Sequence, residues 1–423
     1  MEPASGGGYP DALWGNVSGK TLPRGGQRAD VTLPGGEFVA GDFTLGFGNP
    51  FMQRPRFMDA LGRAFAGRRV LVTGHTGFKG SWLCEWLLAL GARVEGFALS
   101  PPTEPSLFVL LGLAGRMKDG RGDVRDAMAV DTAVDAAQPD FVFHLAAQSL
   151  VRRSYGMPLE TFATNAMGTA NLLAALRLLK KPCAVVMVTT DKCYENMEQG
   201  RHYREGDALG GHDPYSGSKA AAEIITSSWR KSYYSPEKIL AGTVPAVAIA
   251  TARAGNVIGG GDWASERILP DCWRALSQGE PIRIRNPAAI RPWQHVLESV
   301  GGYLRLAADL HVALSQKSPR LVDLCSAFNF GPVPGDHRSV AELVVEVLKH
   351  WPGSWIDSSD PAAVHEALLL HLSTEKAERI LGWRPRWNFS EAVKRAVIWH
   401  RAAEADILAL TQRQIADYAR SFS

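Results

Sequence analysis

Residues 69–82, R-V-L-V-T-G-H-T-G-F-K-G-S-W, constrain the fold of this chain more than any other stretch. Residues 70–72 are a short apolar run of the kind that forms a buried parallel strand. Between this run and an apolar helical pattern stand three glycines at three-residue spacing: Gly74, Gly77 and Gly80. Glycines permit a tight turn and close approach of backbone to phosphate, and a helix N-terminus offers free N–H groups to an anion. The order of strand, glycine turn and helix therefore predicts a site for a dinucleotide pyrophosphate.

From residue 67 onwards, apolar β-branched runs alternate with helical patterns. The predicted strands are 70–73, 93–99, 141–145, 183–190 and 247–254, and the predicted helices are 81–90, 163–179 and 215–231. Repeated βα units imply an α/β fold with a doubly wound, parallel, Rossmann-type sheet. After residue 255 the alternation weakens, which favours a smaller C-terminal substrate-binding lobe over the carboxyl edge of the sheet.

The predicted domains follow from this pattern. Residues 67–255 form an NAD-binding Rossmann domain, and residues 256–423 form mainly the substrate-binding lobe, with some segments returning to the Rossmann domain. The helical pattern in residues 390–419 is expected to pack on the lobe. Residues 1–66 are rich in Gly and Pro and have no sustained period, so they indicate a disordered extension or sequence upstream of a start at Met58.

Composition excludes several functional classes. The net charge of +3 is too small to argue for nucleic acid or an acidic membrane surface as a partner. The five cysteines are far apart with no C-x-x-C pair, which argues against a disulfide framework and for a reducing compartment. No apolar run approaches the ~18 residues that a membrane helix needs, and the N-terminus lacks the order of a signal peptide. We therefore expect a cytoplasmic protein, and no metal site, because no cluster has metal-ligand spacing.

Tyr215 and Lys219 are four residues apart in P-Y-S-G-S-K, a spacing that places them on one face of a helix. An ammonium group near a phenol favours the phenolate, so we expect Lys219 to lower the pKa of Tyr215 from a reference near ~10 towards neutrality. Tyr215 would then take a proton from an alcohol while the alcohol carbon gives a hydride to nicotinamide. The pair predicts a dehydrogenase-type active site.

Several motifs together resemble the extended short-chain dehydrogenase/reductase family, in its nucleotide-sugar epimerase/dehydratase branch. The resemblance covers about residue 67 to the C-terminal helix and leaves out the first 60 or so residues. Its motifs are the glycine turn, P-P-T-E-P-S-L-F, G-D-V-R-D, H-L-A-A-Q, T-T-D-K-C-Y, R-A-G-N-V-I-G-G-G-D-W and R-N-P-A-A-I-R-P-W-Q-H-V. Two of these features, the lysine in T-D-K and the R-P-W-Q-H-V segment, resemble the corresponding motifs of the 4,6-dehydratases of CDP-linked sugars in particular.

The resemblance implies an activity and partners. The family oxidises C4 of the bound sugar, removes water across C5 and C6, and returns the hydride to C6, so that NAD is regenerated. The implied substrate is a nucleotide sugar, CDP-glucose, and the implied pathway is deoxysugar biosynthesis for lipopolysaccharide O-antigen. Members of the superfamily usually pair through two helices per subunit, which implies a homodimer.

Carried over residue by residue, the resemblance also implies catalytic roles. Tyr215, assisted by Lys219, would deprotonate the C4 hydroxyl, and Thr190 would bind the C4 oxygen. Asp191 would protonate the departing C6 hydroxyl. Lys192 stands where many sugar dehydratases place a glutamate base. It would act either as a base with a depressed pKa or as a stabiliser of the developing C5 enolate. Because Asp191 and Lys192 are adjacent, the preceding strand must end before both can reach one substrate.

The implied contacts extend along the cavity. Cofactor contacts are expected at Gly74, Gly77, Phe78, Gly80, Asp123, Val124, Leu145, Ala146, Ala147, Thr164, Tyr215 and Lys219. Substrate contacts are expected at Asn256, Arg267, Arg291 and Asn329. The second strand ends at Ser100 without an acidic residue for the ribose hydroxyls and without a clear arginine for a 2′-phosphate, and we expect NAD.

Two alternative functions share this fold. A nucleotide-sugar 4-epimerase, or a dehydratase of a different nucleotide sugar, would use the same cofactor and Tyr215. An epimerase needs no acid and no catalyst at C5, so Asp191 and Lys192 count against it. A non-catalytic NAD-binding sensor often loses the tyrosine or the lysine of the Y-x-x-x-K pair, whereas this chain keeps both.

Overall fold

A computed structural model of the chain describes residues 56–197, 200–333, 335–359 and 370–421. Expectations for residues 1–55 therefore lie outside the described residues. The central element is a seven-stranded parallel sheet, formed by β1 Arg69–Thr73, β2 Arg93–Ala98, β3 Lys118–Arg121, β4 Phe141–His144, β5 Cys183–Val188, β6 Val247–Ala254 and β7 Ala327–Phe330.

The strand order is β7-β6-β5-β4-β1-β2-β3. Strands β5 and β6 are buried along their whole length, as expected for central strands covered by helices on both faces. Strand β1 lies between β4 and β2, so the order reverses there and a crevice opens at the carboxyl ends of β1 and β4. The predicted doubly wound α/β sheet is confirmed.

The described residues also form sixteen α-helices: α1 Arg56–Phe65, α2 Phe78–Ala89, α3 Leu107–Leu110, α4 Ala127–Ala137, α5 Val151–Gly156, α6 Pro158–Phe162, α7 Gly168–Ala175, α8 Pro214–Ser232, α9 Pro236–Leu240, α10 Ile268–Ser277, α11 Val296–Ser315, α12 Leu321–Leu324, α13 Val340–Leu348, α14 Glu375–Leu381, α15 Phe389–Arg401 and α16 Ile407–Arg420. Helix α11 packs on β5, β6, α1 and α2, whereas α7 packs between α4 and α8 on the other face. Shorter turns of helix are Leu113–Gly115, Ala163–Met167, Leu176–Leu178, Asp191–Cys193 and Glu404–Asp406.

Short paired strands build the region over the carboxyl edge of the sheet: His202–Tyr203 with His371–Leu372, Val257–Ile258 with Gln294–His295, Ile282–Ile284 with Trp355–Asp357, and Ile290–Arg291 with Arg338–Ser339. This region has its own apolar core, to which α10, α13 and α15 contribute, with Trp273, Leu343 and Phe389 among its buried side chains. It is the substrate-binding lobe of the following paragraphs.

The structure differs from the expected layout at several elements. Helix α1 lies within the predicted extension, yet Leu61 and Phe65 are buried in the main core. The predicted helix 163–179 is divided into a π-helical turn, α7 and a 3₁₀ turn. Strand β7 is not among the predicted strands; it joins the central sheet as its edge strand, as one of the C-terminal segments expected to return to the Rossmann domain.

The C-terminal helical pattern is two helices, and the second packs both on the first, in the lobe, and on the Rossmann domain. Helix α15 contacts α13, whereas α16 packs on α2 of the Rossmann domain. There the rings of Trp86 and Tyr418 lie 5.7 Å apart, and Gln412 Nε2 donates to Glu85 Oε1 at 2.9 Å. Trp399 Nε1 on α15 donates to Thr411 Oγ1 on α16 at 2.9 Å, so α16 lies between the lobe and the Rossmann domain.

Candidate active site

The glycine turn joins β1 to α2 and forms a close-packed backbone cradle. Gly74 has φ +74°, and a Cβ there would lie 2.6 Å from the backbone nitrogen of Ala146. A Cβ at Gly80 would collide with the carbonyl oxygen of Gly74. Gly77 is the N-cap residue of α2. Because glycine has no side chain, it cannot accept hydrogen bonds from the N–H groups in the first turn of the helix. These features fit the pyrophosphate of a dinucleotide.

A cavity of about 1420 Å³ extends from this turn to the substrate-binding lobe. Single small-molecule pockets measure roughly 300–1,000 Å³, so this cavity has room for a cofactor and a second ligand. All the expected cofactor and catalytic residues line it, together with three of the four expected substrate residues: Gly74, Gly77, Phe78, Gly80, Asp123, Val124, Leu145, Ala146, Ala147, Thr164, Thr190, Asp191, Lys192, Tyr215, Lys219, Asn256, Arg267 and Arg291.

Tyr215 and Lys219 both lie on α8. The N-cap of this helix is Asp213, whose side chain accepts from the amide of Ser216. Both side chains are buried. Burial raises the pKa of Tyr215 to about 12; a hydrogen bond with Thr190 opposes this rise. The expected lowering of the phenol pKa by Lys219 is therefore wrong for the chain alone.

The surroundings of Lys219 explain why it does not lower the pKa of Tyr215. Its Nζ donates to the carbonyl oxygen of Val188 at 3.3 Å, and burial lowers its own pKa to about 8. The carboxylate of Asp191 also disfavours the Tyr215 phenolate. Neither Lys219 nor Asp191 therefore favours the phenolate of Tyr215 in the chain alone.

Residues 190–192 leave the sheet immediately after β5 ends at Val188. Residues Asp191–Cys193 form a 3₁₀ turn whose N-cap is Thr190, with Thr190 Oγ1 accepting from the amide of Lys192 at 3.4 Å. The hydroxyl of Thr190 also donates to Asp191 Oδ1 at 3.0 Å. Asp191 is buried, and its Oδ2 has no hydrogen-bond partner among the described residues. The turn places Asp191 and Lys192 in the same cavity, as the end of the strand before them predicts.

The cofactor end of the cavity carries charged side chains that are already paired. Asp123 accepts from Arg125 Nε at 2.8 Å and from its NH2 at 2.5 Å, and the hydrogen bonds from Arg125 lower the pKa of Asp123. Arg121, at the end of β3, donates to the carbonyl oxygen of Leu99 and to Asp119. Both guanidinium groups are thus engaged by protein acceptors, that of Arg121 at the end of β2 and that of Arg125 after β3.

Three expected substrate residues line the lobe side of the cavity. Arg267 NH1 donates to Asp262 Oδ2 at 2.9 Å, its NH2 donates to Ser149 Oγ at 3.1 Å, and Asp262 raises its pKa. Asn256 has a buried Oδ1 with no hydrogen-bond partner in the described part of the chain. Arg291, on the short strand Ile290–Arg291, is buried beside the cavity.

Asn329 is not brought to the cavity. It lies on β7, fully buried, and its Oδ1 accepts from the hydroxyl of Tyr194 at 2.7 Å. Its Nδ2 donates to the carbonyl oxygens of Tyr203 and Ser373 at 3.0 and 3.1 Å. The expectation of a substrate contact at Asn329 is wrong in this structure, because all of its polar atoms are used inside the protein.

Sequence reasoning missed Lys79, which lines the cavity from the first turn of α2. Its Nζ donates to the hydroxyl of Tyr303 at 3.2 Å. Burial, with the nearby cations Arg267 and Lys219, lowers the pKa of Lys79 to about 7. A signal was present, since a lysine inside the G-F-K-G motif begins an otherwise apolar helix.

The buried histidine of β4 has a structural role. His144 is buried on β4, its Nδ1 lies 2.8 Å from Thr73 Oγ1, and burial lowers its pKa to about 3, so it is a neutral structural residue.

The described residues hold no group of three or more His, Cys, Asp or Glu side chains arranged to bind a metal ion. None of the described helices is both long and apolar enough to span a membrane.

Comparisons with known proteins agree with this geometry. The sequence model of the family described as GDP-mannose 4,6 dehydratase matches residues 71–396. The CDP-glucose 4,6-dehydratase of Salmonella typhimurium is 44% identical over 356 residues, which cover 83% of this chain and 96% of that protein. The dTDP-glucose 4,6-dehydratase of Streptomyces antibioticus is 29% identical, with 78% of this chain and 92% of that protein covered.

A solved structure extends the agreement to the fold. The UDP-glucose 4-epimerase of Thermus thermophilus, determined as a complex with NAD, superimposes with a TM-score of 0.64 at 26% identity, covering 79% of this chain and 99% of the epimerase. The family match spans most of the chain, and the glycine cradle and the Y-x-x-x-K helix face one cavity. This chain therefore belongs to the GDP-mannose 4,6-dehydratase family, within the extended short-chain dehydrogenases/reductases.

Proposed function

We propose that this chain is a CDP-glucose 4,6-dehydratase, which converts CDP-D-glucose to CDP-4-dehydro-6-deoxy-D-glucose and water with bound NAD. The observation that carries the proposal is the placement of Asp191 and Lys192 in one cavity with Tyr215, beside the glycine cradle. The 44% identity to the Salmonella typhimurium dehydratase supports the choice of CDP-glucose.

The cofactor end of the cavity serves NAD. When bound, NAD supplies a hydride acceptor, a hydride donor for the return step and a positively charged ring. Backbone groups at Gly74 and Gly80 and the amino end of α2 hold the pyrophosphate. Lys219 and Tyr215 line the same cavity as this turn, and the cation of Lys219 supports the phenolate.

Tyr215 and Thr190 act on the C4 hydroxyl. Tyr215 accepts the C4 proton as oxidation begins, and the Thr190 hydroxyl, which donates to Asp191 Oδ1 in the chain alone, turns to donate to the C4 oxygen. The resulting ketone makes the neighbouring C5 proton acidic. Lys192 acts at this C5 step: its amine takes the C5 proton, the resulting ammonium meets the negative charge that develops on the enolate, and the proton goes back to C5 when the hydride returns to C6.

Asp191 completes the elimination. Its buried Oδ2 has no hydrogen-bond partner among the described residues, and the side chain lines the cavity. A carboxylic acid at this position protonates the departing C6 hydroxyl, so that water leaves. Arg267 and Arg291 bind the substrate diphosphate from the lobe, because a guanidinium donates two hydrogen bonds at once.

A 4-epimerase is the second candidate, since the Thermus thermophilus epimerase shares the fold. Epimerisation needs the Tyr215 step but neither an acid nor a C5 catalyst. The unpartnered Oδ2 of Asp191 and the placement of Lys192 in the cavity favour dehydration.

The test is to incubate the purified protein with NAD and CDP-glucose, UDP-glucose or dTDP-glucose, and to measure product mass. We expect loss of one water from CDP-glucose, in preference to the other two. With CDP-glucose deuterated at C4, the product should carry the deuterium at C6. A product of unchanged mass with inverted C4 would indicate an epimerase, and no reaction with any substrate would exclude the dehydratase.

We further propose that the enzyme works in the cytoplasm as a homodimer. All five cysteines are buried and unpaired, which suits a reducing compartment. Exposed apolar side chains lie on the neighbouring elements α6, the π-helical turn and α8, with Leu159, Met167 and Ile224 exposed by 85%, 56% and 56%. Such an apolar surface on adjacent helices suits a second copy of the chain.

A further inference from the structure

We propose that Glu223 and Arg253 are positioning residues of the active site. Their buried ion pair holds both ends of the catalytic segment, residues 189–194, and places a negative charge beside Lys219. This inference rests on the proposed function, because it concerns the segment that carries Thr190, Asp191 and Lys192.

The first observation is the way β5 runs along α8. Two consecutive residues at the end of the strand each bond to one of two residues spaced four apart on the helix. The carbonyl oxygen of Val188 accepts from Lys219 Nζ at 3.3 Å. The next residue, Thr189, donates from its Oγ1 to Glu223 Oε1 at 2.5 Å. Glu223 therefore fixes the strand end from which the catalytic segment begins.

The second observation is the completeness of the bonding around the Glu223 carboxylate. Arg253 donates to both of its oxygens, from Nε and NH2, each at 2.9 Å. Thr251 Oγ1 donates to Oε2 at 2.8 Å, in addition to the bond from Thr189. Glu223 and Arg253 are each buried, and the ion pair lowers the pKa of Glu223 and raises that of Arg253. Glu223 is thus a fixed anion.

The third observation is that Arg253 reaches the other end of the segment. Its NH1 donates to the hydroxyl of Tyr194 at 2.8 Å, and its guanidinium lies 4.9 Å from the centre of the Tyr194 ring. The Tyr194 hydroxyl in turn donates to Asn329 Oδ1 at 2.7 Å. Asp191 and Lys192 lie between Thr189 and Tyr194, so one ion pair determines both boundaries of the turn that holds them.

The charge of Glu223 also acts on Lys219. The titratable groups that face Lys219 are Glu223 on the same helix, Cys193 on the turn after β5, Lys79 on α2 and His144 on β4. Burial keeps His144 neutral and raises the pKa of Cys193, so Glu223 alone among these groups carries a negative charge near neutral pH. Burial lowers the pKa of Lys219 to about 8, whereas the negative charge of Glu223 acts to raise that pKa and so favours the ammonium form.

Two matched variants test the positioning. Thr189→Val and Thr251→Val each remove one hydroxyl donor to the same carboxylate, but only Thr189 belongs to the catalytic segment. We expect Thr189→Val to lower kcat on CDP-glucose about tenfold with KM changed less than about threefold, and Thr251→Val to stay within about twofold of the parent. In the NAD-loaded protein, amide hydrogen exchange over residues 189–194 should rise for Thr189→Val and not for Thr251→Val. Equal kcat and equal exchange for the two variants would overturn the proposal.

A third variant tests the charge. Glu223→Gln removes the anion beside Lys219, so the alkaline limb of the pH profile of kcat/KM should move to lower pH. A purely structural role would lower the activity by one factor at every pH and would contradict the proposed electrostatic effect. If Glu223→Gln does not fold, the two threonine variants still decide. A parent enzyme that leaves CDP-glucose unchanged would end the proposed function, whereas the exchange comparison would still test the positioning.

Discussion

Tyr215 is the residue on which the proposed chemistry depends. Its phenol is buried, and in the chain alone burial raises its pKa to about 12, although a hydrogen bond with Thr190 and the charge of Arg267 act in the opposite direction. The local Y-x-x-x-K spacing correctly predicted that the lysine lies on the same helix face as the phenol. It did not predict which other charged groups surround the phenol. The proton acceptor is therefore completed by bound ligands, which add positive charge and exclude water.

Replacing Tyr215 by Phe should lower kcat by roughly 10²–10⁴-fold, the usual range for loss of a positioned acid–base group. The glycine cradle is untouched, so the variant should still bind NAD, as measured by calorimetry. Tyr234→Phe is the matched control, since the Tyr234 hydroxyl is also buried but donates to the carbonyl oxygen of Leu173 at 2.8 Å. Near-normal turnover by Tyr215→Phe would remove Tyr215 from the mechanism.

At the scale of single elements, the turn from β1 to α2 decides whether a dinucleotide can bind. Gly80→Ala should abolish NAD binding, because the new methyl group would collide with the carbonyl oxygen of Gly74 and push the turn apart. Gly115→Ala, where a Cβ has no neighbour within 4 Å, should leave binding unchanged. Retained NAD affinity in Gly80→Ala, measured by fluorescence titration, would show that the cradle tolerates a side chain.

Helix α11 is tied to the C-terminal part of the chain through Glu298. Its Oε1 accepts from the amides of Arg386 and Trp387 at 2.9 and 2.7 Å, and the hydroxyl of Tyr418 donates to its Oε2 at 2.7 Å. Burial disfavours the charged form and raises the pKa of Glu298 from 4.5 to about 7, although these donors oppose the rise. The stability that the neutral carboxyl contributes is fully present below pH 4.5 and is lost as the pH rises through about 7.

Glu298→Gln removes this titration while keeping an amide oxygen for the backbone donors. Between about pH 5 and pH 8, the free energy of unfolding of the parent should fall relative to the variant, by up to roughly 3 kcal/mol. Urea denaturation of both proteins at the two pH values measures the difference. A difference that does not change with pH would show that Glu298 has the same pKa in the folded and unfolded states.

At the scale of the whole molecule, the apolar surface on α6 and α8 is the proposed contact between two copies. Replacing Leu159 and Ile224 together by Arg should convert the dimer to a monomer, since two charges would be buried against apolar side chains. Val312→Arg is the control, because Val312 is 44% exposed on α11, on the opposite face of the sheet. Sedimentation velocity measures the outcome, and a monomeric parent protein would contradict the homodimer.

Short-range patterns in the sequence determined the sheet strands that precede helices, the glycine turn and the catalytic helix. Each of these features depends on residues a few positions apart, such as the three glycines or the Y-x-x-x-K pair, so spacing alone reveals it. The segment of Thr190, Asp191 and Lys192 was identified through the family resemblance of its T-T-D-K-C-Y motif, and the end of the preceding strand agrees with its place at the carboxyl edge of the sheet.

Only the tertiary structure decided where distant segments meet. Strand β7 joins the central sheet and buries Asn329, α16 returns to α2, and α1 belongs to the main core. The cation of Lys79 in the cavity and the raised pKa of Tyr215 also follow from burial among groups far apart in the chain. Burial and long-range charge depend on which elements pack together, and no local spacing specifies that.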